Sequence, residues 1–272
     1  MRVVIVTGGT AGLGRAMVLA LLSAGHRVVA VGRTGAGELV QAERLLIATG
    51  DVTSPEDCAA VVARTLEHFG TVDALVNNAG INLPTRLPGA MGPQTKEGPK
   101  FYELSVEQYR SIMRTNVDGA FFMARAVMPH LVKRGWGRIV NHVTSYRTMV
   151  RGGETPYGSS KAALESMTAI WANELKGTGV TVNAILPGGA ADTRMIAREV
   201  VPDRSKLVPP AMFDAPIRWL ISDASNAVTG HRFIAALWSA NASDEENVEK
   251  AGSVAGWPES VATAVARPWP PA

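Results

Sequence analysis

Residues 3–14 read VVIVTGGTAGLG, an apolar run that passes directly into a glycine loop and then into a helix. Val3 to Val6 are β-branched throughout, as expected of a central parallel strand buried on both faces. Gly8, Gly9, Gly12 and Gly14 let the backbone turn tightly and approach a ligand with no Cβ in the way. Arg15 to Ala24 then carries apolar residues at Met17, Leu21 and Leu22, the stripe of a helix with one buried face. Its first turn offers unpaired N–H groups and the positive end of a helix dipole, a combination suited to a pyrophosphate.

The loop has the spacing G-x-x-x-G-x-G, a relative of the dinucleotide fingerprint G-x-G-x-x-G, so its meaning depends on context. Composition frames that context. With 272 residues, 46% of them hydrophobic and 19% charged, the chain can bury a sizeable core. No run approaches the roughly 18 apolar residues of a membrane span, so no membrane partner is expected. A net charge of +3 is too small to argue for nucleic acid, though it suits an anionic cofactor. Cys58 is the one cysteine, which excludes an intrachain disulfide or a cysteine-based zinc site. A strand that begins by Val3 leaves no room for a leader, and a cytoplasmic location is expected.

Alternating strand and helix patterns fill most of the length, with no linker to mark a second domain, so residues 1–272 are expected to form one unit. Arg27 to Val31 is the second strand, followed by Gly32, Arg33 and Thr34 and then only a short piece, Glu38 to Arg44, where a full crossover helix is expected. Leu45 to Ala48 is the third strand, closed by Asp51. Ser54 caps a helix that has Pro55 at its first position and runs to about Phe69. Asp73 to Asn77 is the fourth strand and ends in NNAG. Asn82 to Lys100 reads as a long functional loop. Ser105 opens a helical region interrupted near Gly119 and ending before Gly135. Arg138 to His142, Thr181 to Leu186 and Phe233 to Ala235 complete the strands, and a helix from Thr155-Pro156-Tyr157 to about Lys176 lies between the first two. Residues 190–215 read as a lid rather than core, and 267–272 as a proline-rich tail.

Tyr157-Gly158-Ser159-Ser160-Lys161 is the second informative stretch, because residues four apart on a helix share a face. An ammonium beside a phenol favours the phenolate, so Lys161 is expected to bring Tyr157 into use as an acid or base near neutral pH. His142 is a tempting second acid, but a strand-end histidine is more often packed. His26, His68, His130 and His231 are scattered and suggest no metal site. Trp136, Trp171, Trp219 and Trp238 fit core or interface positions.

With the glycine loop, Asp51, NNAG, Asn116 and YGSSK in this order and at these intervals, the chain resembles the short-chain dehydrogenase/reductase family, in its short single-domain branch. The resemblance spans Val3 to about Leu237. It implies an α/β fold: a doubly wound, mostly parallel sheet of seven strands, Rossmann-like, with helices on both faces and a nicotinamide dinucleotide at the carboxyl ends of the strands. It places Gly8, Thr10, Gly12, Leu13 and Gly14 along the pyrophosphate, Asp51 and Val52 beside the adenine, and Asn78, Ala79 and Gly80 by the adenosine ribose, with Pro187 and Gly188 completing the cofactor contacts. Tyr157 becomes the acid/base. Lys161 holds the nicotinamide ribose and lowers the tyrosine pKa, while Asn116 kinks its helix and holds a water in a proton relay. The family's serine lies thirteen residues before the tyrosine, which is Thr144 here. Ser145, next to it, is the alternative if the loop before Tyr157 is one residue shorter than usual; neighbours on a strand face opposite sides, so both cannot serve.

The acidic residue that would accept from the adenosine ribose in an NAD enzyme is replaced by Gly32, and Arg33 follows, able to pair bidentately with a 2′-phosphate. NADP(H) is therefore expected over NAD(H), with Arg15 as a second candidate contact. The expected activity is hydride transfer between NADP(H) and a carbonyl or secondary alcohol carbon of a small molecule, by a homodimer or homotetramer. The other possibility is a dinucleotide-binding regulatory or structural protein with impaired turnover, motivated by the threonine at the serine position.

Overall fold

The computed structural model of the protein describes residues 1–83, 99–196, 198 and 201–259, so most of the 82–100 loop and the whole 267–272 tail lie outside the described residues. Seven strands run parallel: β1 (Val3–Thr7), β2 (Arg27–Gly32), β3 (Leu45–Thr49), β4 (Ala74–Asn77), β5 (Gly137–His142), β6 (Val180–Leu186) and β7 (His231–Ile234). An eighth, β8 (Gly252–Val254), joins antiparallel to β7, giving the order β3-β2-β1-β4-β5-β6-β7-β8. The expected count of seven is thus corrected to eight. Gly-Ser-Val is too short and weakly patterned to announce itself as a strand; its place is set by α8 (Asp244–Ala251), which turns the chain back along β7.

The doubly wound arrangement follows from strands buried on both faces. Val3, Ile5 and Val29 point into one apolar layer with α2 (Pro55–Phe69) and α4 (Gly119–Arg134). Val4, Val6 and Val28 point into the other, with α1 (Gly12–Ser23) and α7 (Asp214–Ile221). α1 starts at Gly12, three residues earlier than its apolar stripe suggests, because glycines carry no hydrophobic signal. α2 is bounded as expected: Ser54 accepts from the Asp57 N–H and Pro55 stands in the first turn.

The missing crossover helix after β2 is replaced by a single apolar plug. Residues 33–44 form no helix, yet Leu39 is 6% exposed and joins Met17 and Leu21 in the core. The 190–215 segment also differs from expectation at its far end, where Phe213 is fully buried and Leu207 nearly so. An isolated parallel bridge links Ala191 to Val208. Arg204 braces it by donating to Asp192 and to the carbonyls of Thr193 and Ile196.

Candidate active site

Every parallel strand from β1 to β6 ends on the same side of the sheet, and the residues named above cluster there. The glycine loop is fixed from beneath. Thr7 Oγ1 accepts from the N–H groups of Asn78 and Ala79, each at 3.0 Å, while Asn78 Nδ2 donates to the carbonyls of Thr7 and Gly8 at 2.9 and 3.3 Å. Gly14 is held so close that a Cβ would lie 2.2 Å from the Gly8 carbonyl oxygen. α1 is preceded by Ala11, whose methyl cannot cap it, so Gly12, Leu13 and Gly14 present first-turn N–H groups with no side-chain acceptor of their own. Thr10 leans against Gly32.

The flanking positions are placed in turn. Asp51 accepts from the Thr53 N–H at 2.9 Å, and Val52, 7% exposed, packs on Gly119 at the head of α4. Arg33 is exposed beyond β2. Arg15 pairs with Glu38 at 2.7 Å and so is tied to the segment after β2 instead of pointing freely outward. Pro187 accepts from the Ala236 N–H at 3.1 Å and Gly188 follows with positive φ, turning the chain away from β6.

The second group converges on α6 (Tyr157–Glu174). Between α3 (Val106–Met113) and α4 the helix widens into a π-turn over Arg114–Asp118, which turns Asn116 inward. Asn116 Oδ1 accepts from the Ile81 N–H at 2.8 Å, and its Nδ2 donates to the Ile81 carbonyl at 3.0 Å and to Ser160 Oγ at 2.9 Å. Ser160 in turn donates to the Tyr157 carbonyl at 2.7 Å. Lys161 Nζ donates to the His142 carbonyl at 2.6 Å and stands 5.9 Å from the centroid of the Tyr157 ring. Gly80 lies beside both Asn116 and Lys161.

Thr144 and Ser145 part company here. The Thr144 hydroxyl acts on the Tyr157 phenol, working to lower its pKa. Ser145 instead caps α5 (Tyr146–Val150), accepting from the Thr148 N–H at 3.1 Å and sharing a bond with the Thr148 hydroxyl at 2.9 Å.

The electrostatics differ from the sequence expectation. Burial pushes the Tyr157 phenol up to about 12, the Glu154 carboxylate adds to the rise, and Thr144 opposes it. Lys161 itself is lowered to about 8 by burial. In the protein alone the phenol is therefore raised, not lowered, because desolvation penalises its charged form. His142 is driven down to about 3, first by burial and then by the Lys161 charge. It packs edge-on against Phe213 at 5.6 Å with Nδ1 3.2 Å from Asn78 Oδ1, the packed role expected of it. Ser160, Glu154 and Thr7 escaped the sequence reading. Ser160 sits inside YGSSK and Glu154 three residues before the tyrosine, so both had a positional signal, whereas Thr7 had none.

Among the described residues no cluster of three or more His, Cys, Asp or Glu could hold a metal ion, and no helix is long and apolar enough to cross a membrane.

Comparison with known proteins agrees with this geometry. The model of the short chain dehydrogenase family matches residues 2–203. The acetoacetyl-CoA reductase of Shinella zoogloeoides is 32% identical over 241 residues, covering 84% of this chain and 94% of the relative. The 2-(R)-hydroxypropyl-CoM dehydrogenase of Xanthobacter autotrophicus is 34% identical over 197 residues, covering 69% of this chain and 74% of the relative. Among solved structures, a 3-ketoacyl-(acyl-carrier-protein) reductase from Brucella melitensis complexed with NADH superposes with a TM-score of 0.72 at 27% identity, covering 84% of this chain and 93% of that one. A family match that runs from β1 through the helix of Tyr157 and beyond, joined to relatives of this identity and coverage, settles descent: the chain belongs to the short-chain dehydrogenase family.

Proposed function

We propose that the protein is an NADP(H)-dependent oxidoreductase of a small-molecule carbonyl or secondary alcohol, with Tyr157 as its acid/base. The observation that carries this is the convergence of Tyr157, Lys161 and Thr144 past the carboxyl ends of the parallel strands, where doubly wound sheets bind their ligands. The uncapped start of α1 and the close approach at Gly14 suit a pyrophosphate. A bound nicotinamide would supply or accept the hydride. The chain's own part is to place the substrate oxygen between two hydroxyls. In reduction, the Tyr157 hydroxyl gives its proton to the developing alkoxide, and the Thr144 hydroxyl donates a hydrogen bond to the same oxygen. Lys161 as a cation stabilises the phenolate left behind, and Asn116, tied through Ser160 to the Tyr157 carbonyl, keeps the helix start and the amine in register for reprotonation.

NADP(H) is favoured over NAD(H) by the end of β2. A Cβ at Gly32 would lie 2.5 Å from Thr10 Oγ1, so an acidic residue there would collide with the loop, and Arg33 next to it is exposed and free to meet a phosphate. Arg33→Asp should raise the Michaelis constant for NADPH about 10-fold, the loss of one good charge pair, with little change for NADH. Equal constants for wild type and variant would remove the argument.

β-Keto thioesters are the first substrates to try, since relatives act as acetoacetyl-CoA and 3-oxoacyl-[acyl-carrier-protein] reductases. Incubation with NADPH, acetoacetyl-CoA and a panel of ketones, followed by nicotinamide absorbance, tests the activity. Tight NADPH binding with no turnover across the panel would favour the regulatory alternative. Exposed Tyr109, Phe121 and Ile170 on α3, α4 and α6 support a homodimer or homotetramer built on these helices, and a monomer in sedimentation would overturn the assembly.

A further inference from the structure

One buried polar cluster takes no part in the chemistry above. Glu165 stands one helical turn beyond Lys161 and is fully buried, and Arg232 in β7 is 4% exposed. Arg232 Nε lies 3.1 Å from Glu165 Oε1, which also accepts from the Tyr146 hydroxyl at 3.0 Å and the Gly256 N–H at 3.3 Å. The guanidinium carbon stacks 3.7 Å from the centroid of the Tyr146 ring, and Trp257 packs on that ring at 5.8 Å. The free end of the fork, Nη2, donates to the backbone carbonyl of Thr144 at 2.8 Å.

Such a pair is a poor way to add stability, since apolar residues of similar volume often serve as well or better once desolvation is counted. What an apolar pair cannot do is supply a donor to the Thr144 carbonyl. Thr144 lies just past β5, where the sheet ladder gives out after the Val143 N–H bonds the Ile185 carbonyl, and Arg232 reaches it from a strand two places away. The planar fork can meet Glu165 and the Thr144 carbonyl together.

We infer that Arg232, held in place by Glu165, is a positioning residue that fixes the Thr144 backbone so that its hydroxyl faces the Tyr157 phenol. This rests on the reading of Tyr157 as the acid. The test uses Arg232→Met combined with Glu165→Gln, which avoids stranding a lone buried carboxylate, and compares it with Thr144→Val and with all three changes together. With NADPH and acetoacetyl-CoA, the paired variant should lose about 10- to 100-fold in kcat, as for a small misplacement of a reacting group, with KM within about 2-fold. In the Thr144→Val background the same pair should lower kcat no further. Losses that simply multiply would overturn the proposal. A second readout needs no turnover. With 13Cζ-labelled tyrosine, the Tyr157 line, assigned by its loss in Tyr157→Phe, should move in the paired variant of otherwise wild-type sequence and stay put when Thr144 is already valine. A Tyr157 line unmoved by the paired change refutes the positioning role, whereas a moved line in a protein inactive on every substrate refutes only the assigned activity.

Discussion

Lys161 Nζ donates to the carbonyl oxygen of His142 at 2.6 Å, tying the amine of α6 to the last residue of β5. The bond fixes the amine two residues before Thr144, so the strand that leads into one hydroxyl also sets the height of the cation serving the other. It has a cost for the histidine, whose half-buried ring stands beside that cation and is held neutral.

That cost should be visible in acid. The folded-state pKa of His142 is lowered from 6.5 to about 3, so between those values the unfolded chain binds more protons and stability falls as pH drops through the window. His142→Gln should flatten the slope of unfolding free energy against pH between about 3 and 6.5, measured by urea melts. An unchanged slope would mean the ring is not held as a neutral base.

Lys161 titrates where it can affect turnover. With its pKa lowered to about 8 by burial, the amine is cationic at neutral pH and loses its charge above that value. For reduction, kcat/KM should be level below pH 8 and fall above it, because a neutral amine no longer supports the phenolate. A profile flat to pH 10 would remove Lys161 from the proton path.

The two neighbouring hydroxyls should separate cleanly. Thr144→Val removes a donor to the substrate oxygen and should lower kcat about 10²-fold, while Thr144→Ser keeps most of the rate. Ser145→Ala loses the cap of α5 and should cost about 1 kcal/mol of stability with kcat little altered. Kinetics and melts on the three variants check this, and the reverse pattern would hand the role to Ser145.

Gly14→Ala would ordinarily favour a helix by about 1 kcal/mol. Here the added methyl meets the Gly8 carbonyl at 2.2 Å, so the loop must open. Dinucleotide affinity in a fluorescence titration should fall at least about 10-fold, the equivalent of one lost hydrogen bond or so. Unchanged binding would show that the loop does not cradle the ligand.

The parts legible from the residues are those in which function is written locally. β1 and α1 follow from VVIVTGGTAGLG, and Tyr157 and Lys161 share a helical face by spacing alone. Asn116 emerged only from the resemblance; its π-turn and its link to Ser160 depend on partners 35 and 44 residues away. Leu39 plugging the place of a helix, β8 joining the sheet and Arg232 reaching Thr144 across 88 residues are tertiary facts with no local pattern. The direction of the Tyr157 shift was hidden for a related reason: spacing puts Lys161 nearby but shows neither the burial nor the Glu154 carboxylate that raise the phenol.

The central claim is that the Tyr157 hydroxyl moves the proton. Tyr157→Phe removes that hydroxyl and nothing else, so the most direct measurement is kcat for NADPH oxidation with a substrate the wild type turns over, beside the NADPH dissociation constant. The account predicts a loss of about 10²- to 10⁴-fold in kcat with cofactor binding retained; a variant as fast as wild type would contradict it.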